Sequence, residues 1–106
     1  MNLTIHAIVG DIIRCSAREF CVPRQSILEE GRTKSVAEAR CCAMAVARTV
    51  TRFSLPELGR AFERDHTTVM AAIRTAARKC QRDKSFARAM SNVTKQARAM
   101  LEARAA

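Results

Sequence analysis

Apolar residues recur along this chain at the three-to-four spacing of helices that each bury one face. Over Leu3 to Phe20, Ile5, Val9, Ile12 and Ile13 share a face while Arg14, Arg18 and Glu19 fall elsewhere on the wheel, which predicts a first core-facing helix. The next stretch, CVPRQSILEEGRTKS, sets Pro23 and Gly31 around the apolar pair Ile27 and Leu28; this is the pattern of a brief helix followed by a basic turn, GRTKS. From Ser35 to about Phe53, SVAEARCCAMAVARTVTRF is apolar around most of its circumference. That predicts a central helix contacted from several directions, with Ser35 and Glu38 as its S-x-x-E capping box.

SLPELGRAF reads as a short helix capped by Ser54 and Glu57, with Pro56 in the first turn, ending near Phe62. After a turn of two or three residues Asp65 is a natural N-cap for a further helix. Its apolar rhythm, Val69, Ala72, Ile73, Ala76, Ala77 and Cys80, predicts one buried face, and Arg74, Arg78 and Arg82 form a ridge away from it. Lys84 to about Arg104 carries Phe86, Met90, Val93, Ala97, Met100 and Leu101 at similar spacing and predicts a last helix over the others. The expected architecture is all-α: one domain over residues 1–106, a compact bundle of about five to six helices, with a helix-turn-helix at about 54–82 and an additional C-terminal helix at about 84–104. No internal repeat or linker divides it.

Composition supports that class, since Trp and Tyr are absent and only 4 Phe occur, leaving Ala, Val, Ile, Leu and Met to build the core. Charge narrows the partner: 19 Lys and Arg against 10 Asp and Glu give a net +9. Such a surface attracts polyanions, nucleic acid first and an anionic membrane surface as the rival. The 5 cysteines form no C-x-x-C pair, adjacent Cys41 and Cys42 are poorly placed to hold one tetrahedral ion, and neither His6 nor His66 stands at finger spacing. No metal is therefore expected. Cys15, Cys21, Cys41, Cys42 and Cys80 read as buried or half-buried thiols in a reducing cytosol, with a redox switch as the alternative. The N-terminus lacks the basic and apolar regions of a signal peptide, and no apolar run reaches transmembrane length, so the expected location is cytoplasmic and nucleoid-associated, away from membrane.

Two helices joined by a very short turn, the second with a polar start and basic flanks, suit major-groove recognition, in which the first residues of the second helix meet base edges. Asp65 can accept from a cytosine amino group, His66 and Thr67 can hydrogen-bond or touch a thymine methyl, and Thr68 can reach a phosphate or base. Capping alone would account for Asp65 and Thr68, with His66 a bystander. It leaves Arg60 and Arg64 before the helix, and Arg74 and Arg78 within it, unexplained.

The run SLPELGRAFERDHTTVMAAIR closely resembles the signature of the C-terminal DNA-binding domain of DnaA, the bacterial chromosomal replication initiator, approximately SLPEIGxxFGGRDHTTVxHAxxK. The likeness extends back through GRTKSVAEARCCAMAVARTVT without a gap and more weakly through the first helix. It implies that Asp65, His66, Thr67 and Thr68 read the major groove of the box TTATNCACA, and that Arg32 enters the adjacent minor groove. It further implies that Lys34, Arg40 and Arg48 contact phosphates and that Ser54 at the start of SLPE lies near the backbone; Arg64, as a basic flank of the helix, is expected to contact the backbone too. Departures are also legible. The turn before Asp65 is one residue shorter than the GGRD form. Glu38, Ala39, Arg40 and Cys41 replace an Arg-Pro-Arg-Gln run, and Glu29 and Glu30 dilute the basic loop, both of which should weaken phosphate binding.

No G-x-x-x-x-G-K-S/T motif occurs, and no H-E-x-x-H, G-x-S-x-G or dinucleotide fingerprint either, so neither enzyme activity nor a cofactor is expected. The leading expectation is a double-stranded DNA binder that acts at initiator boxes in replication or transcription without an ATPase. The competing one is a protein-interaction module engaging the initiator or another replication protein through its last helix, motivated by Glu30 and Glu38. A third, a piece of a longer initiator, is set against the initiating Met1.

Overall fold

A computed structural model describes residues 3–31 and 33–105, and every regular element among them is an α-helix: α1 (Leu3–Phe20), α2 (Arg24–Leu28), α3 (Lys34–Val50), α4 (Leu55–Phe62), α5 (His66–Arg82) and α6 (Lys84–Ala105). Helix α1 ends where Cys21 turns to φ 57°, which lets the Val22 N–H reach back to the Ala17 carbonyl at 3.0 Å in a Schellman-type closure. That role leaves Cys21 exposed, unlike the expected half-buried thiol; Cys15, Cys41 and Cys42 are buried, Cys80 is intermediate, and all are free.

Helix α3 is the centre of the bundle. Val36, Ala39 and every residue from Cys41 to Ala47 are buried, and α3 packs against all five other helices. Small side chains allow this, because Ala and Cys let neighbouring backbones approach on several sides at once. Its cap differs from expectation. Thr33, not Ser35, accepts the Val36 N–H at 3.3 Å, so the helix begins at Lys34. It also stops at Val50, short of Phe53, where the Thr51 hydroxyl donates to the Ala47 carbonyl at 2.6 Å. Glu38, unused as a cap, instead receives Lys79 of α5 at 2.9 Å.

Helices α5 and α6 are joined through Asp83 alone, whose Oδ1 accepts the Ser85 and Phe86 amides at 3.0 and 3.2 Å. In α5, Val69 and Ala76 are buried and Ala72, Ile73 and Cys80 half-buried, but Ala77 is exposed. Ala77 lies about 80° around the wheel from Val69, outside the narrow stripe that an outer helix buries. In α6 Phe86, Val93 and Ala97 are buried as expected, and Phe86 meets Phe20 at 5.9 Å between ring centroids. The far end of α6 is pinned by Arg104, which donates through Nε and Nη2 to Oδ2 of buried Asp11 at 2.9 and 2.7 Å. Burial pushes the Asp11 carboxyl upward, yet the hydrogen bonds and charges of Arg104 and Arg14 outweigh it and hold the group below its ordinary value.

Candidate nucleic-acid interface

The turn between α4 and α5 is built on Gly59. A Cβ there would stand 2.7 Å from the Arg64 carbonyl oxygen and 3.2 Å from the His66 nitrogen, so the chain leaving α4 folds back directly over a residue with no side chain. Glu63 closes α4 in the left-handed region at φ 59°, and the Arg64 N–H returns to the Gly59 carbonyl at 2.8 Å. At the other end of α4 the expected capping box is present in both directions: Ser54 Oγ accepts the Glu57 N–H at 3.2 Å, and the Ser54 N–H donates to Glu57 Oε1 at 2.8 Å. Those contacts with Ser54 hold the Glu57 carboxyl below its usual value.

Helix α5 opens on a fully solvent-facing turn. Asp65, His66, Thr67 and Thr68 are all exposed, and the next residue, Val69, is completely buried. Asp65 occupies the N-cap, where its carbonyl receives the Thr68 and Val69 amides at 2.9 and 3.2 Å, but its side chain makes no capping bond. The carboxylate lies instead 3.2 Å from Nδ1 of His66. This turn thus projects a carboxylate, an imidazole and two hydroxyls with no local capping task assigned to the side chain of Asp65. Exposed donors and acceptors at the start of a helix are what base-edge reading needs.

Two of the expected backbone-binding cations lie at opposite ends of α3. Lys34, the first residue of α3, is exposed; Arg32 lies outside the described residues. Arg48, exposed near the other end of α3, donates to the Phe53 carbonyl at 3.0 Å and so stands beside the start of α4. Lys34 and Arg48 are separated by about 21 Å of helix axis, more than the roughly 12 Å width of the major groove. Arg48 shares an open depression with Leu55, Met70, Ile73 and Arg74. The sequence set Arg74 on an outer ridge and among the basic flanks of the reading turn; its pairing with Arg48 depends on how α5 crosses α3, which periodicity does not encode.

Arg40 and Arg64, both expected at the DNA backbone, are engaged with carbonyls of the protein itself. Arg40 is half-buried and donates through Nε to the Ile27 carbonyl at 2.8 Å, through Nη2 to those of Ser26 at 3.0 Å and Glu29, and through Nη1 to that of Gly31 at 3.3 Å. Burial, together with the neighbouring Arg64, pushes its pKa down. Arg64 donates through Nη1 to the Leu28 carbonyl at 2.9 Å and through Nη2 to that of Glu29 at 2.7 Å. Both guanidinium groups are thus occupied with carbonyls at the C-terminal end of α2, where the helix dipole favours cations. The acidic departures have internal partners as well: Glu38 binds Lys79, and Glu30 acts favourably on the charge of Arg40.

Among the described residues no group of His, Cys, Asp or Glu could hold a metal, and no helix is long and apolar enough to cross a membrane. The sequence pattern described as the bacterial dnaA protein helix-turn-helix matches residues 9–76. Over 67 residues, 62% of this chain, it is 48% identical to the chromosomal replication initiator protein DnaA of Xanthobacter autotrophicus, of which that stretch is 13%. The same identity and span relate it to the DnaA of Bradyrhizobium sp., of which the stretch is 14%, so the chain matches only a small part of these curated relatives. A crystal structure of a DNA replication initiation factor superposes with a TM-score of 0.78 at 35% identity, covering 90% of this chain and 29% of that one. With residues 9–76 matched, a helix-turn-helix at the corresponding place and a solved relative of the same fold, this chain belongs to the bacterial dnaA protein helix-turn-helix family.

Proposed function

We propose that this chain binds double-stranded DNA with a preference for sites resembling the initiator box TTATNCACA, and regulates replication initiation or transcription without ATP hydrolysis of its own. The observation that carries the reading is the exposed first turn of α5, which sets four polar side chains in solvent on a helix that also brings Arg74 into one depression with Arg48. In this reading Asp65, His66, Thr67 and Thr68 contact bases in the major groove, Arg32 reaches the minor groove, and Lys34, Arg48 and Ser54 hold the backbone. Arg74 joins Arg48 there, since the two share one depression. Arg40 and Arg64 serve the protein's own carbonyls.

The test is fluorescence anisotropy of the reduced protein with a box duplex and a scrambled duplex at two or more salt concentrations. The reading expects a preference for the box that survives the higher salt, because base contacts are less salt-dependent than phosphate contacts. Arg48→Ala should weaken both duplexes alike and flatten the salt slope by about one phosphate contact, whereas His66→Ala or Thr67→Ala should erode mainly the preference. Equal, salt-erased binding to both duplexes rejects sequence-specific function.

A further inference from the structure

We infer that Arg64 is a positioning residue that locks the segment leading into the basic turn against the start of the reading helix. The inference rests on the DNA-binding reading above and concerns how the two reading elements are held in register.

The geometry is that of one cation bridging two helix ends. Toward α2, the Arg64 guanidinium donates to the carbonyls of Leu28 and Glu29, across 36 and 35 residues of sequence. Toward α4, Nη1 also faces the carbonyls of Phe62 at 3.5 Å and Glu63 at 3.2 Å. The last carbonyls of any helix lack intrahelical donors and carry the negative end of its dipole. A single planar fork satisfies both ends at once, and the residue supplying it is the immediate neighbour of Asp65. Arg40 approaches the α2 carbonyls from α3 and also donates to Glu29, so two like charges converge on one short peptide segment. Such crowding is unfavourable unless the acceptors hold it in place.

The tie fixes a relation that neither element sets by itself. The segment after α2 leads to Arg32 and to Lys34 at the start of α3, while Asp65 caps α5 and His66 to Thr68 form its first turn. With the Leu28 and Glu29 carbonyls bonded to Arg64, the end of α2 is held at a fixed place relative to the first turn of α5. Lysine preserves the charge but offers one nitrogen in place of a fork. It is the substitution that separates geometry from electrostatics.

Two measurements on Arg64→Lys and Arg64→Met test the inference. In the free proteins, amide hydrogen exchange is expected to rise together in residues 28–35 and 63–68, by about tenfold or more, with α1 and α6 unchanged. A rise confined to 63–68, no rise, or global unfolding of Arg64→Lys overturns the tie. With DNA, the box-over-scrambled ratio of Arg64→Lys is expected to fall by about tenfold, a 1.4 kcal/mol change, while scrambled-duplex affinity and salt slope stay as in the wild type. Equal losses on every duplex, with one phosphate contact gone from the slope of Arg64→Met, would make Arg64 a phosphate ligand and overturn the inference. If the wild type itself shows no box preference, the DNA-binding reading has failed, and the exchange measurement still decides the tie.

Discussion

Replacing Arg40 by methionine removes a guanidinium while keeping most of the apolar stem that crosses from α3 to α2. Four carbonyls, those of Ser26, Ile27, Glu29 and Gly31, lose their donor at once. A hydrogen bond from a charged group contributes about 1.5–3 kcal/mol, so simple addition would exceed 6 kcal/mol. Three features reduce that sum. The carbonyl of Glu29 keeps Arg64 as a donor, the bond to Gly31 is long at 3.3 Å, and removing one cation relieves the repulsion with Arg64. What remains is the pair of bonds to Ile27 and Ser26, at 2.8 and 3.0 Å, whose carbonyls water reaches only in part. The expected loss is about 2–4 kcal/mol, or a melting point lower by roughly 9–18 °C for a domain of this size. Urea denaturation followed by far-ultraviolet circular dichroism measures it directly, and an unchanged m-value confirms that the denatured state is the same. A loss below about 1 kcal/mol would refute the claim that Arg40 works inside the protein. It would return the residue to the role of a cation free to bind phosphate.

The glycine under the turn allows a paired test: Gly59→Ala should cost about 1–3 kcal/mol, because the new methyl meets backbone at 2.7 Å, while Glu63→Gly should gain about 0.5–1 kcal/mol by relieving a left-handed non-glycine, both read by urea denaturation. Asp11 gives an acid signature. Its folded pKa is lowered, so its stabilising contribution is present above the unfolded value of 3.8 and is lost as pH falls through the folded value. Asp11→Asn or Arg104→Ala should therefore flatten the fall in melting temperature below about pH 5, and an unchanged acid limb would contradict the pairing. Thiol labelling of the native protein should modify Cys21 first and leave Cys42 unreacted, since burial holds that thiol near a pKa of about 12; mass spectrometry of the labelled peptides shows the order.

Features decided by a few neighbouring residues were legible in the sequence. Helix α1 runs over Leu3–Phe20 as its apolar spacing predicts, and the Ser54–Glu57 box forms as the S-x-x-E pattern requires. The cap of α3 was misplaced by two residues because Thr33 and Ser35 are both able caps, and the choice falls to whichever suits the turn from Gly31. The candidate site divided along the same line. The exposed turn Asp65 to Thr68 could be read from polarity and from the family resemblance. The inward use of Arg40 and Arg64 could not, since their acceptors lie 9–14 and 35–36 residues away apart from those in the turn itself. An arginine in a basic chain looks the same from its neighbours whether it faces a phosphate or a carbonyl. Gly59 was similarly silent: a glycine inside a short helix signals close approach, but not what approaches.

A helix that forms the common wall for five others leaves the chain little partial structure to fall back on. Stripping α1 or α5 from α3 exposes a flank of Ala, Cys, Met and Val that has almost no polar atoms to offer water, so peeling even one helix away carries an apolar cost that hydration does not offset. The expected folding nucleus is therefore α3 with part of its cover, and φ-values near zero throughout α3 would refute it. Its partners precede and follow it along the chain, so such a nucleus draws on both sides of the sequence.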